Sequence, residues 1–223
     1  MPNKTTYNFF FILLIIFFLI ACKDRENHNL SDKPTNSALY AQGHQDLFEF
    51  FKANADVIML GDSLTDENEW HEFFPDIKIL NRGIRGQSSQ QVLDRIQPVL
   101  RTQAKYTFLM VGVNDILRNY TTENLIGNSK KILGLLLEKN HKPILQSILH
   151  VSVDQIETNN RIKEANEQLM QLAKELNIDF IDLNTTLAPQ GYLEKNYTYD
   201  GIHLTGKGYE VWAKRIAPII ESI

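Results

Sequence analysis

Four short runs hold the side chains best suited to chemistry. In Gly61-Asp62-Ser63-Leu64-Thr65 a serine follows an apolar run at a strand-to-helix turn, which would hold its hydroxyl out of a sheet as a nucleophile. Serine is also a common helix N-cap, so this run alone fits a purely structural turn. Asn81-Arg82-Gly83-Ile84-Arg85-Gly86 supplies glycines that let backbone N–H groups approach a ligand, or simply make a turn. Gly112-Val113-Asn114-Asp115 offers a carboxamide that donates hydrogen bonds without bringing a charge, or an Asx turn. Asp200-Gly201-Ile202-His203 sets an acid three residues before a histidine, where it can fix the ring tautomer and leave the other nitrogen free as a base. Of six histidines, only His203 and His141 have an acid at that offset.

These runs must be positioned by regular elements. Val57-Ile58-Met59-Leu60 predicts a short buried strand, and further strands are expected over residues 77–80, 106–111, 144–149 and 179–181. Between them, apolar residues at helical spacing predict helices over 47–55, 88–101, 122–138, 159–176 and 205–220. Strand and helix alternate, which implies an α/β fold with a parallel sheet of about five strands covered on both faces. Ligands of such sheets bind beyond the carboxyl ends of the strands. All four runs follow strands, whereas Glu138 and His141 precede one and lie at the wrong edge. Trp70 and Trp212 fall on helices and read as packing residues, while Asp62 and Asp115 are expected to brace their turns.

The N-terminus is a separate matter. Five of the twelve Phe lie in one run, and the apolar stretch of 13 residues from Phe9 to Ala21 is too short to span a bilayer core of about 30 Å. It reads as a secretory signal over residues 1–21. The single cysteine, Cys22, follows directly and excludes an intrachain disulfide. Residues 22–43 are polar, lack an apolar period and read as a tether, leaving residues 44–223 as one domain. A net charge of −4 argues against a nucleic-acid partner, whose phosphates require a basic face. No clustered His, Cys and acid set suggests a metal, and no cofactor is called for.

Leu19-Ile20-Ala21-Cys22 resembles the lipobox of bacterial lipoproteins, which implies cleavage before Cys22, acylation of its thiol and a lipid-anchored place in the bacterial cell envelope, on the periplasmic or the surface face. The four chemical runs together resemble, in order and context, the conserved blocks of the SGNH hydrolases, also called the GDSL esterase/lipase family. Asn81-Arg82-Gly83-Ile84 and His203-Leu204-Thr205-Gly206-Lys207-Gly208-Tyr209 look closest to small acylhydrolases related to platelet-activating factor acetylhydrolase and to glycan O-acetylesterases. That resemblance implies a three-layer flavodoxin-like fold with strand order 2-1-3-4-5. It further implies that Ser63 is the nucleophile, His203 the base and Asp200 its orienting acid. The Ser63 amide, the Gly83 amide and the Asn114 side chain would form the oxyanion hole. Arg85 and His150 are weaker candidates for substrate contacts.

The function so implied is a membrane-tethered serine esterase removing short acyl groups, acetyl above all, from small molecules or glycans. A lysophospholipase or thioesterase with the same catalytic set is the enzymatic alternative, and a non-catalytic ligand-binding lipoprotein is a third. Oligomeric state is left open.

Overall fold

The computed structural model describes residues 34–51 and 54–223. The sheet and the candidate site belong to one compact unit, Ser37–Ile223. The expected signal segment, Cys22 and most of the expected tether lie outside the described residues. Among the described residues, no helix is long and apolar enough to cross a membrane.

Five parallel strands form one sheet: β1 (Val57–Gly61), β2 (Ile79–Gly83), β3 (Tyr106–Met110), β4 (Lys142–Gln146) and β5 (Asp179–Ile181). Their order is β2-β1-β3-β4-β5, as the resemblance implied. Every residue of β1 is buried, which explains why its apolar side chains run on without alternating. Gly61 is in register with Gly83 on one side and Met110 on the other, so the ends of the three strands that lead to the candidate residues are level.

Helices cover the sheet: α1 (Asn36–Phe50), α2 (Ser63–Asp66), α3 (Trp70–Phe73), α4 (Ser89–Asp94), α5 (Gln97–Leu100), α6 (Val113–Leu117), α7 (Thr122–Glu138), α8 (Ile156–Leu176), α9 (Asn184–Leu187) and α10 (Gly206–Ile220). Trp70 and Trp212 meet edge to face at 4.9 Å in the core. Trp70 Nε1 donates to Thr65 O and Tyr209 OH donates to Leu64 O, so α3 and α10 together fix the one-turn helix that starts at Ser63.

Several boundaries differ from the sequence expectation, each for a local reason. β2 runs through Gly83, so Asn81-Arg82-Gly83 is strand and the turn starts only at Ile84. The helix expected over 88–101 is split into α4 and α5, with Pro98 in the first turn of α5, where its missing N–H breaks no helical bond. β4 includes Pro143: Lys142 N donates to Lys105 O on the β3 side, so Pro143 faces the other side, where β5 pairs only from Ile144 onward. β4 also ends at Gln146, because Ile148, His150 and Val151 donate their N–H groups to the carboxamides of Asn166, Asn184 and Asn159 instead of to a strand. Finally, residues 36–43, read as tether, belong to α1. Its contact stripe is aromatic, Tyr40, His44 and Phe48 at i, i+4 spacing, and Phe48 caps the buried Arg82 guanidinium at 4.5 Å.

Candidate active site

Ser63 follows β1 at the first position of α2, with Asp62 as N-cap accepting the Leu64 N–H at 3.1 Å. From the far end of the chain, residues 198–204 fold into a tight turn closed by an antiparallel bridge between Thr198 and Leu204. Gly201 takes φ +91° at its tip, a conformation that favours glycine. Asp200 Oδ1 accepts the N–H groups of Ile202 and His203, and Thr198 Oγ1 donates to His203 O. This turn delivers His203 to Ser63: Ser63 Oγ lies 2.9 Å from His203 Nε2, and His203 Nδ1 lies 2.7 Å from Asp200 Oδ2. Partial burial alone would raise the Asp200 carboxyl, but hydrogen bonds from the His203 ring and from the His203 and Ile202 amides outweigh it and hold the group below its usual range. A carboxylate on Nδ1 fixes the proton there and leaves Nε2 as the acceptor facing the serine hydroxyl.

Asn114, in α6, donates from Nδ2 to Gln87 O at 3.1 Å and, at a long 3.4 Å, to Asp62 Oδ2. The loop after β2 and the loop after β3 therefore make one wall beside Ser63. Beneath it, Asp115 accepts from Ser89 N and Oγ, and burial pushes its carboxyl up. Asp62 is fully buried, and burial pushes its carboxyl up to about 7 against the opposing Leu64 hydrogen bond. Both acids brace their turns, as expected.

One expected oxyanion donor is corrected. The Gly83 N–H is already bonded to Asn81 Oδ1 at 2.9 Å, and a Cβ at Gly83 would stand 2.2 Å from Asp66 N. This glycine is needed for the close approach of α2 to β2, and its amide is not available to a ligand. Gly86 is placed differently. It lies between Ile84, whose N–H bonds Gly61 O, and Gln87, whose carbonyl holds Asn114. Its own N–H has no acceptor among the described residues, and neither has that of Ser63. The sequence contains both glycines and its resemblance points to Gly83; only the direction of the Asn81 side chain shows that this amide is already taken.

The weaker candidates are drawn elsewhere. Arg85 Nε is 3.0 Å from Asp66 Oδ2 and 3.7 Å from Glu67 Oε1, so two carboxylates hold it. His150 is buried, with its basicity pushed down by burial, and lines two cavities of about 270 and 220 Å³ shared with Lys163. Neither residue bonds Ser63, Asn114, Asp200 or His203. His141 is also buried and pairs with Thr107 Oγ1. A cavity of about 430 Å³ adjoins the Asp200 side of the site, between Ser152, Tyr192 and Tyr199. Among the described residues, no group of three or more His, Cys, Asp or Glu side chains is placed to hold a metal ion.

A five-stranded parallel α/β sheet with Ser, Asn and an Asp-x-x-His pair at its carboxyl edge defines the SGNH class of folds. The chain belongs to the GDSL-like lipase/acylhydrolase family, which matches residues 59–211. It is 24% identical, over 98% of its length, to an N-acylneuraminate cytidylyltransferase of Streptococcus agalactiae serotype V, and spans 49% of that protein. Thus the chain covers about half the length of the first curated relatives it matches. It is 27% identical to the platelet-activating factor acetylhydrolase IB subunit alpha2 of Rattus norvegicus, over 75% of this chain and 76% of that one. Among solved structures, a GDSL-like lipase from Bacteroides thetaiotaomicron superposes with a TM-score of 0.69 at 26% identity, covering 84% of this chain and 98% of that chain.

Proposed function

We propose that the protein is a serine esterase that cleaves short-chain carboxylic esters, acetyl esters above all, through an acyl-enzyme. The observation that carries this is the continuous relay Ser63 Oγ, His203, Asp200, with both spacings within hydrogen-bond reach. His203 Nε2 takes the hydroxyl proton as Ser63 Oγ attacks the ester carbonyl, and Asp200 stabilises the imidazolium. His203 then protonates the departing alkoxide, and water, activated by the same nitrogen, releases the acid. The free N–H groups of Ser63 and Gly86 and the Asn114 carboxamide stabilise the oxyanion, the long Asn114 contact to Asp62 being the one that yields.

Preference for a short acyl group is supported by the polar loops after β1 and β2 and by the acetylhydrolase name of the rat relative. Glycan esters are included because hydroxyl-rich alcohols suit an open, polar site. The same proposal holds the protein in the bacterial cell envelope through acylated Cys22. One observation favours the lysophospholipase or thioesterase alternative: Val153 and Ile156, after β4, are 57% and 68% exposed and could carry a longer chain.

Two measurements test this. Ser63→Ala should lose both ester hydrolysis and fluorophosphonate labelling while keeping its fold, and a folded variant with undiminished turnover rejects the mechanism. A series of p-nitrophenyl acetate, butyrate, octanoate and palmitate decides the acyl preference. Each buried methylene contributes about 0.8 kcal/mol, so an apolar groove would raise kcat/KM toward octanoate by orders of magnitude. A falling series supports the acetylesterase and a rising one the alternative.

A further inference from the structure

Near the relay stands a pair of residues that the catalytic steps leave unused. Tyr199 OH donates to Glu67 Oε2 at 3.0 Å, joining positions 132 apart in the chain. The Tyr199 ring lies nearly parallel to the His203 imidazole, 17° between planes and 5.9 Å between centroids. Glu67 in turn closes the first turn of α2, its N–H donating to Ser63 O at 2.9 Å. These contacts complete a ring of four residues: Ser63 to His203, His203 to Tyr199, Tyr199 to Glu67, and Glu67 back to Ser63.

We propose that Tyr199 and Glu67 are positioning residues that clamp the His203 turn onto the Ser63 helix, so that the Ser63–His203 spacing is set from outside the catalytic relay. This rests on the serine-esterase function proposed above. Asp200 controls the proton on Nδ1 and the pitch of the turn, but it belongs to the same turn as His203 and cannot fix that turn relative to α2. Among the described residues, the only side-chain bonds that span the gap are the catalytic one itself and Tyr199 to Glu67. A clamp is needed because the turn stands at the end of a long polar excursion, and a misplacement of about 1 Å can lower a rate by about a hundredfold.

Glu67 is itself held. Arg85 Nε lies 3.7 Å from Glu67 Oε1 and 3.0 Å from Asp66 Oδ2, and Tyr40 OH donates to the same Asp66 oxygen at 2.7 Å. The Glu67 side chain is only 17% exposed despite its charge. Partial burial and the Glu67 hydrogen bond push the Tyr199 phenol up to about 12, so it stays a donor throughout the range in which the enzyme can be assayed. Arg85 thereby acquires a role that a substrate contact does not require: it keeps the Glu67 carboxylate in place.

The test is steady-state hydrolysis of p-nitrophenyl acetate, with fluorophosphonate labelling rates alongside. Tyr199→Phe keeps the ring against His203 and deletes only the hydroxyl; kcat should fall about tenfold with KM unchanged. Glu67→Ala should do the same, and Glu67→Gln, which keeps an acceptor, should recover to within about twofold of the original protein. Because the two groups act as one unit, Tyr199→Phe with Glu67→Ala should be no slower than either single change. A Tyr199→Phe enzyme with its full kcat, a rise in KM alone, multiplicative losses in the double variant, or Glu67→Gln as slow as Glu67→Ala would each overturn the clamp. If the unaltered protein is neither labelled nor active, the serine-esterase function falls and the clamp with it. If it is labelled and active but indifferent to these changes, only the clamp falls.

Discussion

Asn81 Oδ1 accepts the Gly83 N–H at 2.9 Å, across two residues of the same strand. The other end of that carboxamide lies within 3.1 Å of three carbonyls, Thr65 O, Asp66 O and Asn68 O, which share its two N–H groups. One half-buried side chain thus ties the edge strand to the segment that leaves the catalytic helix. Asn81→Ala removes the accepted bond and both N–H donations and should lower stability by about 2 to 4 kcal/mol, each bond being worth roughly 1 kcal/mol net. Asn81→Asp should be worse, since it sets a charge against three carbonyl oxygens. Urea unfolding midpoints check both, and a midpoint unchanged in Asn81→Ala would deny it this tying role.

Asn114→Ala should reduce kcat by about 10² to 10³ with little change in KM, the loss expected when one oxyanion donor is removed. The Gln87 carbonyl would also lose its partner, so the stability of the variant should be measured in parallel. A pure KM effect would make Asn114 a ground-state contact instead.

Burial sets a pH dependence that has Asp62 as its source. Burial pushes its folded carboxyl up to about 7, against about 3.9 in an unfolded chain. Between these values the native state keeps a proton that the unfolded state has released. The contribution to stability is therefore complete below about pH 4 and is lost as pH rises through about 7. Asp62→Asn does not titrate. The melting temperature of the original protein minus that of Asp62→Asn should accordingly fall between pH 4.5 and 8, while the opposing contribution of Asp200, present in both proteins, cancels. A difference that stays flat or grows with pH would show that Asp62 is ionised in the native state.

Much of this molecule is legible in its sequence, for reasons that differ by element. α7 begins and ends where its apolar spacing predicts because Thr121 is an explicit N-cap and the helix is followed by Asn140 at φ +62°. β5 can be read over Asp179–Ile181, a strand of three residues, because helix-forming sequence stops sharply before it at Asn177 in the left-handed conformation. Ser63, Asn114, Asp200 and His203 converge because each follows a strand end or a long return segment, and strand ends can be read from apolar runs. By contrast, the sequence points to Gly83 as donor rather than Gly86 because a spacing of three residues says nothing about which N–H an Asn side chain has already taken. Only the end of α1, from Leu47, is read by apolar period; its earlier residues 36–46 escape it because the contact stripe there contains Tyr and His rather than aliphatic residues, and the helix rests on arginines. Tyr199 and Glu67 are invisible for a different reason: their pairing exists only once α2 and the residues around His203 are side by side.

The Ser63–His203 bond joins positions 140 apart, with Ser63 directly after β1 and His203 just ahead of the final helix. A chain that leaves the ribosome N-terminus first presents its serine with β1 and β2 long before a base exists to activate it. Until α10 docks and seats Tyr209 and Trp212, that serine is an ordinary alcohol of low reactivity. Contacts of such high sequence separation also form late and slowly, because loop closure must precede them. Hydrolysis would therefore switch on only with the last folding step, and no shorter N-terminal piece of the domain would carry it.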